Sequence, residues 1–226
     1  MVLILSGYGR ALAQAGRGEE TQKFLDEALP LARELKNQAL VAQIVDCQGD
    51  AAFYRGDYKS AGKFYAEAAE LALRAKDRDR LLVSKFNVAK VAVKEGRARE
   101  AISALKALAQ EADSLGLKYL SVECSIYLAE ALVNSKDYAR AREELDQTVL
   151  ESEKLRLRVL AAQARCLLAT ALRLTGDDSG ASVHYRRAHE LLEEIRKEPG
   201  ADKVMSRADL SAIYIESARW SQSGKA

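Results

Sequence analysis

Two histidines, three cysteines and a pair of closely spaced glycines are the residues of this 226-residue chain whose types could do chemistry. His184 and His189 stand five apart, whereas two imidazoles sharing a metal from one helix stand four apart, and no acidic or cysteine ligand joins them. They read as solvated or groove-edge side chains. Cys47, Cys124 and Cys166 are odd in number and show neither C-x-x-C nor Cys/His ligand spacing, so they read as small buried hydrophobes of a reducing compartment. Gly7 and Gly9 form a G-x-G that lacks the third glycine and the preceding strand of a dinucleotide site. No nucleophile elbow, P-loop or kinase loop occurs in the sequence. The expectation is a chain that is not itself an enzyme and needs no metal and no cofactor.

The elements that carry these residues repeat. Gly16, Gly56, Gly96, Lys136 and Gly176 are spaced 40 residues apart, and each closes one copy of a common stretch. A period of this length marks a solenoid built from one supersecondary unit that cannot bury its apolar face alone. Apolar and small residues recur at three- and four-residue spacing on both sides of each turn, which predicts two antiparallel helices per copy. Asp57, Asp137 and Asp177 are placed to cap the second helix; Arg17 and Arg97 are not, but Glu20 and Glu100 bring negative charge to the first turn there.

Columns of like residues define the core. Five positions after the turn stand Thr21, Ala61, Ala101, Ala141 and Ala181, and nine after it Leu25, Tyr65, Leu105, Leu145 and Tyr185. Seven before it stand Gly9, Gly49, Ala89, Ala129 and Ala169. Helices cross closely only where such side chains are small. Residues 1–200 therefore read as five repeats with turns at 16, 56, 96, 136 and 176, and 201–226 as a C-terminal capping helix and tail, with Val204, Ala208, Ile213, Tyr214, Ser217 and Trp220 near one face.

Charge and hydropathy narrow the partners. Thirty-five Lys and Arg against 33 Asp and Glu leave a net charge of +2, no field for nucleic acid or an anionic membrane. No apolar run is long enough to span a bilayer, and the opening MVLIL with ALAQA lacks the basic start and apolar length of a signal peptide, so a cytoplasmic location is expected. Val2, Leu3, Ile4 and Leu5 put apolar residues on every side of the first helix, which implies an upstream domain of the same parent protein.

The pattern resembles the tetratricopeptide repeat (TPR) family, most closely through Gly49, Gly56, Asp57, Tyr58, Ala61, Tyr65 and Ala68, then through Asp137, Tyr138, Ala141 and Leu145. That resemblance implies an all-α, right-handed superhelical solenoid. The period of 40 exceeds the family's usual 34, and the expected proline after the second helix is missing, as if that helix ran a turn and a half longer. The longer form resembles repeats of bacterial ATP-dependent transcription activators and peptide-sensing regulators. In that fold the first helices line the concave face. Tyr54, Lys90, Lys94, Asn134 and Arg173 are the candidate ligand- or partner-binding residues, an aromatic platform with donors suited to a carboxylate or peptide backbone. A ladder of mutually neutralised charges, with Asp50 and Glu130 flanking Lys90, is the competing account of the same face. The carboxylate clamp of chaperone-binding relatives is not carried over, because Ser6 and Arg10 stand where Lys and Asn are wanted. The resemblance implies a protein- or peptide-binding scaffold, or alternatively the effector-sensing or docking region of a larger bacterial transcription regulator or Ser/Thr protein kinase.

Overall fold

In a computed structural model, which describes residues 1–223, helices begin at nearly regular 20-residue steps. The α-helices are α1 (Val2–Gln14), α2 (Gly18–Glu34), α3 (Gln38–Tyr54), α4 (Tyr58–Ala75), α5 (Arg78–Lys94), α6 (Ala98–Ser114), α7 (Lys118–Asn134), α8 (Tyr138–Lys154), α9 (Arg158–Leu174), α10 (Asp178–Arg196) and α11 (Ala208–Ser223). The expectation that the second helix of each repeat carries the extra length is corrected: α7 and α8 are both 17 residues, and α3 and α4 are 17 and 18. The extra residues are shared between the two helices.

The physical cause is that the turns between repeats are built like the turns within them. A left-handed residue recurs every 20 positions, at Gly16, Lys36, Gly56, Lys76, Gly96, Gly116, Lys136, Arg156 and Gly176. At the second repeat, Gly56 N–H donates to Phe53 O (2.9 Å) and Asp57 N–H to Ala52 O (3.0 Å), the paired bonds that close a helix through a left-handed residue. Lys136 and Asp137 make the same pair to Val133 and Leu132, so lysine does there what glycine does elsewhere. The following residue then opens the next helix. Asp57, Asp137 and Asp177 accept from the N–H of Ser60, Arg140 and Gly180 at 3.1, 3.3 and 2.8 Å. Asn37 and Asp77 cap α3 and α5 in the same way, at 3.1 and 3.0 Å, which the sequence reading had not singled out.

The columns are buried. Thr21, Ala61, Ala101, Ala141 and Ala181 are all closed to solvent, as are Leu25, Tyr65, Leu105, Leu145 and Tyr185. Two of the tyrosines also tie their own repeat together: Tyr65 donates its hydroxyl to Asp50 (2.8 Å), and the Tyr185 hydroxyl meets Thr170 Oγ1 (2.9 Å), linking the same two repeat positions.

Two compact units divide the chain. The first comprises 1–92 with 206–209 and is centred on Leu25, Ala28, Ile44, Val45 and Ala68. Within it α1 packs on α2 and α3, and α3 on α4. Of the apolar start, Val2 and Leu5 are buried in this core while Leu3 and Ile4 are exposed. The second unit comprises 93–205 with the described stretch from Leu210 onward; α7 packs on α8, α8 on α9, and α9 on α10. There Ala201, Val204 and Leu210 join Ala162, Leu191, Leu192 and Ile195 in one core, and Trp220 stacks on Tyr185 at 5.3 Å.

The stretch after residue 200 is not one helix. Val204–Ser206 form a 3-10 turn and α11 starts at Ala208. The reason lies in Arg207, whose Nε and Nη2 grip both carboxylate oxygens of Asp209 (3.0 and 2.6 Å). Residues two apart do not face each other on a helix, so this pair requires Arg207 to stand outside it.

Candidate functional site

On the first helices, positions six before the turn residue and two or three before it are the ones expected to face a partner, and the candidates Tyr54, Lys90, Lys94, Asn134 and Arg173 stand there. The row at six before the turn turns inward. Arg10 approaches Asp46 (3.5 Å) and Asp50 (4.0 Å), which ties α1 to α3. Asp46, 1% exposed, also accepts from Asn87 Nδ2 (3.1 Å) and Ser84 Oγ (3.4 Å) of α5. Burial, reinforced by the neighbouring Asp50 charge, pushes the Asp46 carboxyl up to about 6 against the opposing pull of Arg10 and Asn87.

Lys90 does not present its ammonium to solvent. It is 4% exposed, and its Nζ lies 4.3 Å from the ring centre of Phe53, 5.2 Å from Tyr65 and 5.4 Å from Phe86. A cation enclosed by three ring faces is held by their quadrupoles. Its sequence assignment as a donor to a partner is therefore replaced, in this structure, by a role that fixes the rings beneath the face.

Tyr54 closes α3 at the second position of interest. The guanidinium of Arg207 lies over its ring, with Cζ 3.9 Å from the ring centre. Nη1 of the same arginine donates to the backbone carbonyl of Gln14 (3.0 Å), the last residue of α1. Gln14 and Tyr54 are equivalent residues of consecutive repeats, so Arg207 spans the ends of two first helices.

The second unit holds the other three candidates. Lys94 Nζ donates to Glu130 (2.5 Å) and lies 5.5 Å from the Tyr127 ring centre, so it is a half-buried member of a charge pair between neighbouring first helices. Asn134, equivalent to Tyr54 and Lys94, is exposed and lines a cavity of about 710 Å³ with Arg97, Glu100 and Lys136 among its walls. Arg173 is exposed beside the Tyr185 hydroxyl, whose hydrogen bond raises its pKa. Both accounts of the face thus have members: Arg10, Asp50, Lys94 and Glu130 neutralise one another, while Asn134 and Arg173 stay open.

The cysteines are poorly placed to act as nucleophiles. All three cysteines are buried, and burial raises each thiol, Cys47 to about 11 and Cys166 to about 12. His184 Nδ1 lies 3.2 Å from Arg165 Nη1, and burial together with that cation lowers its pKa, which favours the neutral ring. Among the described residues no group of three or more His, Cys, Asp or Glu is placed to hold a metal, and no helix is long and apolar enough to cross a membrane.

No known family model matches the sequence, nor does any of the curated proteins compared with it. Solved structures do match in fold. A Rap protein complexed with competence and sporulation factor superposes with a TM-score of 0.66 at 13% identity, over 97% of this chain and 65% of that one. A signal transduction ATPase with a tetratricopeptide repeat sensor from Pyrococcus horikoshii gives 0.62 at 14% identity, over 99% of this chain and 37% of that one. A putative kinesin light chain of TPR-like repeats from Podosopora anserina gives 0.61 at 15% identity, over 87% and 97%.

The chain has the tetratricopeptide-repeat fold. In this TPR chain the residues that sequence reasoning missed are Asp46, Asn87 and Arg207. Asp46 and Asn87 belong to buried, otherwise apolar helix faces, and a polar residue at an inward position was the available signal. For Arg207 the signal was the SRAD stretch, where an arginine and an aspartate stand two apart at a break in the helical period.

Proposed function

We propose that this chain is a protein-interaction module that holds an extended segment or helix of a partner protein on the exposed ends of its first helices. The observation that carries this reading is the seat of Arg207. A face formed by Gln14 and Tyr54 already accommodates a side chain from elsewhere in the chain, using one backbone carbonyl and one aromatic ring. Such contacts are the ordinary means of peptide recognition. On this reading Tyr54 in the first unit, and Lys94, Asn134 and Arg173 in the second, are each candidates to touch a partner, while Lys90 supports Tyr65 and Phe53 from below.

A photo-crosslinking amino acid at position 54 or 134, compared with one at the exposed Glu67 on α4, tests the reading. A crosslinked protein is expected at 54 and 134 and not at 67. Crosslinks confined to 67 would move the partner to the second-helix face.

The likeness to the sensor-bearing ATPase supports a second reading, in which this chain is the sensing or docking region of a larger regulator joined to an upstream domain. Either reading gives the chain itself a binding role and no catalytic one.

A further inference from the structure

We propose that Tyr54 and the Gln14 carbonyl form an arginine-recognition site, and that Ser206–Asp209 is its resident occupant, to be displaced by a partner segment bearing arginine with an acidic residue two positions on. The proposal deepens the reading above by naming the chemistry of the partner and the means by which the site is kept closed without one.

The site uses each property of a guanidinium. Its charge sits over the Tyr54 ring, with Cζ 3.9 Å from the ring centre. One edge donates to Gln14 O, a carbonyl at the C-terminus of α1, where the helix leaves its last carbonyls without intrahelical donors and gathers partial negative charge. The other edge is filled by both oxygens of Asp209, a fork-to-fork pair that lets an always-charged group lie only 8% exposed. A lysine offers neither the flat face nor the second edge.

The occupant brings its own counter-charge. Asp209 pairs with Arg207 from within the same segment, and the receiving surface adds a ring and a helix-end carbonyl. A partner that carries the same Arg-x-Asp or Arg-x-Glu arrangement can offer the same contacts, in competition with a tethered occupant. A Cβ added to Gly56, in the turn after Tyr54, would lie 3.4 Å from the Ala208 methyl, an ordinary contact distance, so the segment lies close against that turn.

The test uses the full chain and a labelled peptide of residues 203–211, KVMSRADLS. The Arg207→Ala variant vacates the seat and is expected to bind the peptide at least about tenfold more tightly than the parent chain, since the parent's own segment competes at the high effective concentration of a tethered group. Replacing the peptide's arginine with alanine, or adding Tyr54→Ala to the variant, is expected to abolish binding. Equal affinity for parent and variant, no binding to the variant at millimolar peptide, or binding indifferent to Tyr54 would each overturn the proposal. Hydrogen exchange on the parent chain gives a second measurement should Arg207→Ala fail to fold. Excess peptide should speed exchange of the amides of 208–212, and unchanged exchange counts against displacement. Crosslinking at position 134 is independent of this seat, so its success beside a failed peptide experiment would retain the interaction module and reject only the arginine site.

Discussion

The ring of Tyr65 lies directly over the α-carbon of Gly49: a Cβ on residue 49 would come within 2.4 Å of the ring's Cε1. The ring cannot retreat, since its hydroxyl is held by Asp50 and its other surroundings are closed. Gly49→Ala is therefore expected to destabilise the chain by about 1 to 3 kcal/mol, although alanine is the better helix former by about 1 kcal/mol. Ala101→Leu and Ala141→Leu, in the small column of the second helices, should cost a similar amount. Denaturant midpoints equal to the parent's would show that the helices have room to separate.

Lys136 and Lys76 hold left-handed backbones, with φ of 64° and 57°, where equivalent turns carry glycine. A side chain in that conformation costs on the order of 1 kcal/mol, and glycine removes the cost at some expense in unfolded-state entropy. Lys136→Gly and Lys76→Gly should each be neutral to stabilising by up to about 1 kcal/mol. Glycine replacement within a helix, such as Lys106→Gly in α6, should instead cost about 1 kcal/mol. Chemical melts of the three variants separate the two effects.

Asp46 sets a pH dependence. Its carboxyl lies near 6 in the folded chain because burial, then Asp50, disfavours the charge, against an ordinary value of 3.8. The folded state therefore binds the proton more tightly than the unfolded state, and stability falls as pH rises from about 4 to about 6. In Asp46→Asn that contribution vanishes, so the parent should lose roughly 2 to 3 kcal/mol relative to the variant between pH 4 and pH 7. Loss of the Arg10 partner offsets the variant's curve without giving it slope. Parallel curves for the two proteins would contradict this.

Partner binding should separate the two accounts of the first-helix face. Asn134→Ala and Arg173→Ala remove exposed side chains, so their stability should change by less than about 0.5 kcal/mol, while partner affinity falls by more than about 1 kcal/mol. Lys94→Ala also leaves Glu130 without its partner, so a small stability loss accompanies any loss of binding. Titration with a crosslink-identified partner measures both.

Where the fold was legible in sequence, the reason was repetition. Gly56, Asp57, Ala61 and Tyr65 each recur in kind at fixed offsets, and five weak signals in register make one strong one. The left-handed geometry of the turns between repeats was not legible, because Lys36, Lys76 and Arg156 adopt a backbone that composition gives no reason to expect of them. The site was less legible because a side chain's depth depends on neighbours distant in sequence. Lys90 and Lys94 are one helical turn apart and look alike on paper, yet one is enclosed by Phe53, Tyr65 and Phe86, and the other pairs with Glu130. The seat of Arg207 was hidden for the same reason, since its partner Gln14 O lies 193 positions away.

The 20-residue rhythm of left-handed residues has a consequence for how such a gene can be edited. A splice between equivalent positions, from Gly56 to Gly96 for instance, rejoins a helix end to a helix start through the same three-residue turn. Recombination at those points adds or removes whole 40-residue blocks without leaving a mismatched junction, whereas a cut one residue away turns every later side chain on that helix by about 100°. Length in such a chain is therefore a heritable variable that can change in large quanta, and the tolerated breakpoints are written in its backbone angles.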